Sequence, residues 1–232
     1  MVQVNNTPIN LRVKFKKTGK LQYISHLDLV RTMHKIIVRA KLPLWYTEGF
    51  NPKPKMVFAA PLSIGTESVT EFVDIRLNEK IDQSEAQRRL NLNMTDEMQA
   101  IEVYYPERKL TEMKWLSYTI VIKTDCASEN LAQKCWEILT SEKVEVEKKN
   151  KSGDIIISDI RPLIKSVNST FDGVNIRISC ILSADASAFL NPEYIIKALK
   201  RECGILSNED LLSEHYSIMR EAAYCDDMSL FR

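Results

Sequence analysis

What most limits the fold open to this chain is a hydrophobic pattern that changes period in the same order twice. Leu11, Val13 and Phe15 alternate with Arg12, Lys14 and Lys16, the signature of a half-buried strand with one basic face. Ser25 to Ala40 then switches to helical spacing through Leu29, Met33, Ile36, Ile37 and Ala40, with Ser25 and Asp28 as a capping-box-like start. Leu44 to Tyr46 reads as a short extended segment, and Gly49 to Lys55 as a proline-rich turn. Strands at Met56 to Ala60 and Phe72 to Leu77, a helix at Asp82 to Asn91 and a strand at Gln99 to Tyr105 complete the first half.

The second half runs in the same order. It opens with a strand at Ser117 to Lys123 and a helix at Ser128 to Thr140. A hairpin follows, Val144 to Lys148 and Asp154 to Ile157 around the turn Asn150-Lys-Ser-Gly153. A strand at Val174 to Leu182, a helix at Pro192 to Glu202 and a last strand at Tyr216 to Glu221 close it. Each half reads βαββαβ, so the expected fold is α+β, two tandem ferredoxin-like units with antiparallel sheets. The units fall at 8–106 and 114–222, joined by the charged Pro106 to Met113, with a tail at 223–232. Trp136, Leu139, Ile195 and Ile196 read as core of the second unit.

Composition removes several function classes. With six glycines, all far apart, the chain holds neither a G-x-G-x-x-G fingerprint nor a Walker A loop. The five cysteines show no C-x-x-C spacing and the three histidines are scattered, which argues against a disulfide framework, a zinc knuckle or a cysteine-held cluster. The cysteines read as small buried apolar residues, and no cofactor is expected. No apolar run approaches the roughly 18–20 residues of a membrane span. The first seven residues show no signal-peptide pattern, so the expected location is cytoplasmic, away from membrane.

Charge is unevenly placed. Between Asn10 and Pro61 eleven lysines and arginines face only Asp28 and Glu48, a net +9 in a chain whose total is +1. The remaining residues therefore total −8, and the second unit is net acidic. A basic lobe of this kind concentrates anionic partners, nucleic acid foremost, although solvated lysines on an ordinary surface give the same count.

The residues able to do chemistry lie in that lobe. His26 falls in the first helical turn over the apolar face, where a helix N-terminus disfavours imidazolium and suits a general base. A structural histidine packs in the same place, and both readings stay open. His34 falls on the side of the helix as ordinary surface. In Gly49-Phe-Asn-Pro-Lys-Pro-Lys55 an exposed Phe50 is suited to stack on a base while Lys53 and Lys55 meet phosphates; the two prolines would pre-order the loop. The candidate RNA contacts are Tyr23, His26, Arg31, Phe50, Asn51, Lys53 and Lys55. Tyr23 and Phe50 would stack, Asn51 would hydrogen-bond, and the basic side chains would pair with phosphates. Glu67 and Glu71 read as solvated residues flanking a strand.

Phe15-Lys-Lys-Thr-Gly-Lys-Leu-Gln-Tyr-Ile-Ser-His-Leu-Asp-Leu-Val-Arg31 resembles the opening signature of a radical-SAM-linked bacterial family of unknown function. Leu42-Pro-Leu-Trp-Tyr-Thr-Glu-Gly-Phe-Asn-Pro-Lys-Pro-Lys55 and Ala60-Pro-Leu-Ser-Ile-Gly-Thr-Glu-Ser68 match the same pattern. Lys53 is a departure, since the family is expected to carry histidine there. The resemblance implies a domain that stands alone or fused behind a B12-binding radical-SAM enzyme. It further implies a non-catalytic adaptor that presents an RNA, or an RNA-bound substrate, to such a partner. A second, fold-level resemblance is to the repeat-associated RAMP proteins of CRISPR systems. Some of these are metal-independent endoribonucleases with a histidine on the first helix, though their glycine-rich C-terminal loop is absent here. That likeness implies a rival reading, RNA cleavage using His26 with Tyr23 or Lys55 stabilising charge. A third reading is a protein-docking scaffold without RNA affinity.

Overall fold

The computed structural model describes residues 7–149, 152–206 and 214–232. The chain divides into two compact units, Met1–Leu110 with Arg232, and Thr111–Phe231. The described elements are ten strands and four α-helices, an α+β architecture.

The first unit consists of β1 (Ile9–Lys17), α1 (His26–Arg39), β2 (Met56–Phe58), β3 (Thr66–Leu77), α2 (Gln83–Asn91) and β4 (Ala100–Tyr104). Its strands lie in the order β4-β1-β3 with β2 on the far side of β3. Every pairing is antiparallel, the ferredoxin-like arrangement. Alternation along β1 sends Leu11, Val13 and Phe15 into a core shared with Leu29, Met33, Ile36 and Ile37 of α1 and with Val73, Ile75 and Leu77 of β3. Ser25 caps α1, its Oγ accepting from the Asp28 amide at 3.1 Å and donating to Asp28 Oδ2 at 2.7 Å.

The other face of β1 departs from the basic surface expected of it. Arg12 is fully buried, its guanidinium donating to both carboxylate oxygens of Asp74 at 2.7 and 2.9 Å. Lys17 is buried too and reaches the Gln22 carbonyl at 3.3 Å. Lys14 and Lys16, by contrast, stay half-buried on β1. The glutamates read as strand-flanking also lie within β3: Glu71 is buried, and Glu67 accepts a hydrogen bond from the Gly19 amide.

The second unit contains β5 (Trp115–Lys123), α3 (Glu129–Thr140), β6 (Glu145–Lys149), β7 (Ile155–Asp159), β8 (Ile164–Phe171), β9 (Ile176–Ser183), α4 (Glu193–Cys203) and β10 (His215–Tyr224). The order β10-β5-β9-β8 is again antiparallel throughout and repeats the topology of the first unit. The hairpin read from sequence exists as β6–β7, but it forms a separate two-stranded sheet. The strand that completes the ferredoxin-like sheet is β8, for which the pattern gave no sign. Ile-Lys-Ser-Val-Asn-Ser-Thr-Phe is mostly polar on both faces, as suits a strand paired only with β9 at the margin of this order. Asn150 and Lys151 of the expected turn lie outside the described residues.

Burial in this unit follows the periodicity with one exception: Leu139, Ile195 and Ile196 are inside, whereas Trp136 is 38% exposed. Cys135, Cys180 and Cys225 are buried as small apolar residues; Cys126 is exposed and Cys203 half-buried. After β10 the chain turns back, with the Phe231 amide donating to the Ala223 carbonyl at 2.8 Å.

Candidate nucleic-acid interface

A groove of about 410 Å³ runs along one flank of α1. His26, Val30 and His34 form its helical wall, spaced i, i+4, i+8 and so stacked on successive turns. Thr47, Pro54 and Lys55 line the opposite side, followed by Met56 and Phe58 of β2 and by Ala59 and Pro61. The His26 ring meets Phe58 edge-on, with centroids 5.4 Å apart and planes at 81°. Phe58 in turn packs edge-on against Phe15, 6.3 Å away. This aromatic relay fixes His26 at the mouth of the groove while leaving the residue exposed.

The proline-rich segment is more ordered than a turn. The Lys55 amide donates to the Trp45 carbonyl at 3.1 Å and the Thr47 amide to the Lys53 carbonyl at 2.9 Å. The Lys53 amide donates to Thr47 Oγ1 at 3.1 Å. These bonds zip residues 45–55 into a finger, and a donation from the Trp45 amide to the Arg76 carbonyl at 2.9 Å anchors its root to the end of β3. Pro54 is buried in the root. Gly49 turns the tip at φ 122°, a conformation closed to residues with a Cβ. The tip presents Phe50 with its side chain wholly in solvent, 111% of the reference exposure. An aromatic ring held out by a hydrogen-bonded stalk gains nothing from folding.

The sequence-derived candidates fall into three groups. His26 and Lys55 line the groove, with Lys55 Nζ 5.6 Å from the centre of the Trp45 ring. Phe50, Asn51 and Lys53 stand exposed on the finger beyond it. Tyr23 and Arg31 lie apart from both. Tyr23 ends the 3-10 turn Gly19–Tyr23 and is 66% exposed, while Arg31 pairs with Asp28 at 3.4 Å on the surface of α1.

His34 is the residue that sequence reasoning left out. Desolvation in the groove and, secondly, the nearby Lys53 ammonium hold its pKa below the ordinary 6.5. The i, i+4, i+8 stripe of His26, Val30 and His34 was the available signal. Asp28 is held below the usual carboxylate range by the Ser25 hydroxyl and, more weakly, by Arg31, so the start of α1 keeps its negative charge. Among the described residues no three histidine, cysteine or acidic side chains gather in a metal-binding arrangement. No described helix is long and apolar enough to cross a membrane.

Several solved structures align with the chain at low sequence identity. A chain of a Cbf5–Nop10–Gar1 complex matches 92% of this protein with 11% identity and a TM-score of 0.46. A chain of an H/ACA ribonucleoprotein bound to a substrate RNA containing 2'-deoxyuridine matches 91% with 11% identity and a TM-score of 0.45. This protein spans about half the length of each, 48% and 46%. A protein of unknown role from Galdieria sulphuraria matches 92% of it with 10% identity and a TM-score of 0.28. No curated protein matches the chain. The family model "Uncharacterized protein conserved in bacteria" (DUF2344) matches residues 10–192, covering the groove and the finger and reaching into the second unit as far as the start of α4, and the chain belongs to that bacterial family.

Proposed function

We propose that the finger and the groove of the first unit bind single-stranded RNA without cleaving it. The observation that carries this reading is the placement of Phe50 at the tip of a pre-formed finger, fully exposed, with Lys53 and Lys55 along the same stalk. Aromatic rings with flanking cations hold single strands because every base offers a π-face and every nucleotide a phosphate. The hydrogen bonds that zip the finger lower the ordering entropy lost on binding. Below the tip the groove offers His26, His34 and Lys55 to the backbone of a strand entering it.

The same geometry favours binding over cleavage. Eight residues of helix separate His26 from His34, a rise of about 12 Å. Both Cα–Cβ bonds lean the same way along the helix, so the two imidazoles do not converge on one phosphodiester as an acid–base pair. A nuclease built here would rest on His26 alone, with Lys55 beside it in the groove. By the resemblance of Phe15–Arg31, Leu42–Lys55 and Ala60–Ser68, the partner that receives the RNA is a B12-binding radical-SAM enzyme. This chain then acts as an adaptor, with no cofactor of its own.

The test is binding and integrity of labelled single-stranded RNA in chelator across a salt series. Log affinity should fall linearly with log salt, and the slope divided by about −0.7 counts the phosphates engaged. Intact RNA at the end of the series supports the adaptor. Cleavage lost in His26→Ala would replace it with the nuclease, and absence of binding at low salt would leave the basic lobe as a surface for a protein.

A further inference from the structure

In the second unit, Cys135 on α3 and Cys203, the last residue of α4, place their Sγ atoms 3.9 Å apart although 68 residues separate them in sequence. Cys135 is fully buried, while Cys203 is half-buried at the end of its helix, next to Gly204. From this juxtaposition we propose that Cys135 and Cys203 are a redox-active pair, joined by a reversible disulfide when the protein meets a peroxide. The sulfurs lie in hydrogen-bond contact, and a bond of about 2.05 Å requires them to approach by about 1.9 Å.

Accessibility sets the order of events. Cys203, the partly exposed member, attacks the peroxide oxygen as a thiolate; the O–O bond breaks, leaving a sulfenic acid on Cys203 and one water. The Cys135 sulfur then attacks the Cys203 sulfur, the S–S bond forms and the hydroxyl leaves with the Cys135 proton as a second water. In sum two thiols lose two electrons and two protons, and the peroxide takes both to become two waters. The hydrogen bond between the sulfurs acts in the same sense. It lowers the Cys203 pKa against the opposing effect of burial, and it raises that of Cys135 together with burial.

Cys126 is exposed and has Thr124 Oγ1 at 3.2 Å, and Cys180 is buried with its pKa pushed up to about 12 by desolvation. The consequence of oxidation is a staple between α3 and α4, and closing so long a loop narrows the unfolded ensemble and stabilises the unit.

The experiment treats the full chain with hydrogen peroxide, blocks remaining thiols and maps peptides without reductant. The expected result is one linked pair, Cys135 with Cys203, a mass lower by two hydrogens, a higher melting temperature, and reversal of all three by dithiothreitol. Cys203→Ser should abolish the link. Cys126→Ser, which leaves the pair and its packing intact, should retain it and so keeps the test valid if the first variant folds poorly. Oxidation confined to Cys126, a link between two chains, or Cys135 still free after complete loss of the Cys203 thiol would overturn the proposal.

Discussion

The two units share one topology and depart from it at the same point, the connection between the first helix and the strand that ends the sheet. In the first unit this connection is the finger. Lys41, Lys53 and Lys55 stand against Glu48, with Phe50 at the tip and a short three-residue strand, β2, behind it. In the second unit it is the β6–β7 hairpin, where five basic residues between Ser141 and Leu163 meet five acidic ones. There Ile155, Ile156 and Ile157 are 65, 45 and 66% exposed. A crossover on the outside of a ferredoxin-like sheet tolerates insertion because the core is complete without it. One insertion, basic with an exposed aromatic ring, is the one suited to an anionic strand; the other carries no net charge and exposes three isoleucines.

The buried arginines extend the contrast and give the largest expected effect. Arg12 is paired with Asp74, and Arg220 of β10 donates to the Tyr118 hydroxyl at 3.1 Å and lies 5.5 Å from the centre of its ring. Burial alone would lower the Arg12 pKa, but the hydrogen bond and charge of Asp74 outweigh it and raise it. Asp74→Ala, which strands a buried cation, should destabilise the first unit by about 3–5 kcal/mol in urea unfolding. Tyr118→Phe should lose roughly 1.5–3 kcal/mol, the range for one hydrogen bond to a charged group. Equal losses would mean that the two units are held alike.

Next in size, Phe50→Ala should weaken RNA binding by about 1–3 kcal/mol and leave the melting temperature unchanged, because the side chain touches nothing. Ile156→Ala in the other insertion should leave RNA affinity as it is. Lys53→Glu with Lys55→Glu should reduce the slope of log affinity against log salt by about 0.7 for each phosphate no longer neutralised. An unchanged slope would place the RNA elsewhere on the lobe.

The smallest effect concerns His34. Its folded pKa is depressed, so the stability it contributes is present above 6.5 and lost as pH falls through the lower folded value. Lys53→Ala should raise that pKa only part of the way, since desolvation is the larger cause. Bound phosphate should raise it further, so RNA affinity should increase as pH drops below 6.5. NMR titration of the imidazole with and without RNA measures both shifts.

Much of this was legible in the residues. β1 and α1 announce themselves because one face of each is apolar at a single period, and Ser25 and Ser128 mark helix starts through the amides they cap. The Asn-Pro and Lys-Pro steps marked the turn, and Phe50 among lysines suggested the RNA contact proposed for it. What the residues hid was long-range. Asp74, the partner that buries Arg12, lies 62 positions away. β8 takes its identity from pairing with β9, and a polar strand at a margin carries little period of its own. His34 looked like surface because the wall facing it, Thr47 to Pro61, is set by the anchoring of the finger to Arg76.

The central claim is tested most directly by ultraviolet crosslinking of the full chain to a 4-thiouridine-containing single strand, followed by peptide mapping. The account predicts adducts within Trp45–Lys55, centred on Phe50 and lost in Phe50→Ala. Adducts confined to the second unit, or a wild-type pattern that persists in Phe50→Ala, would contradict it.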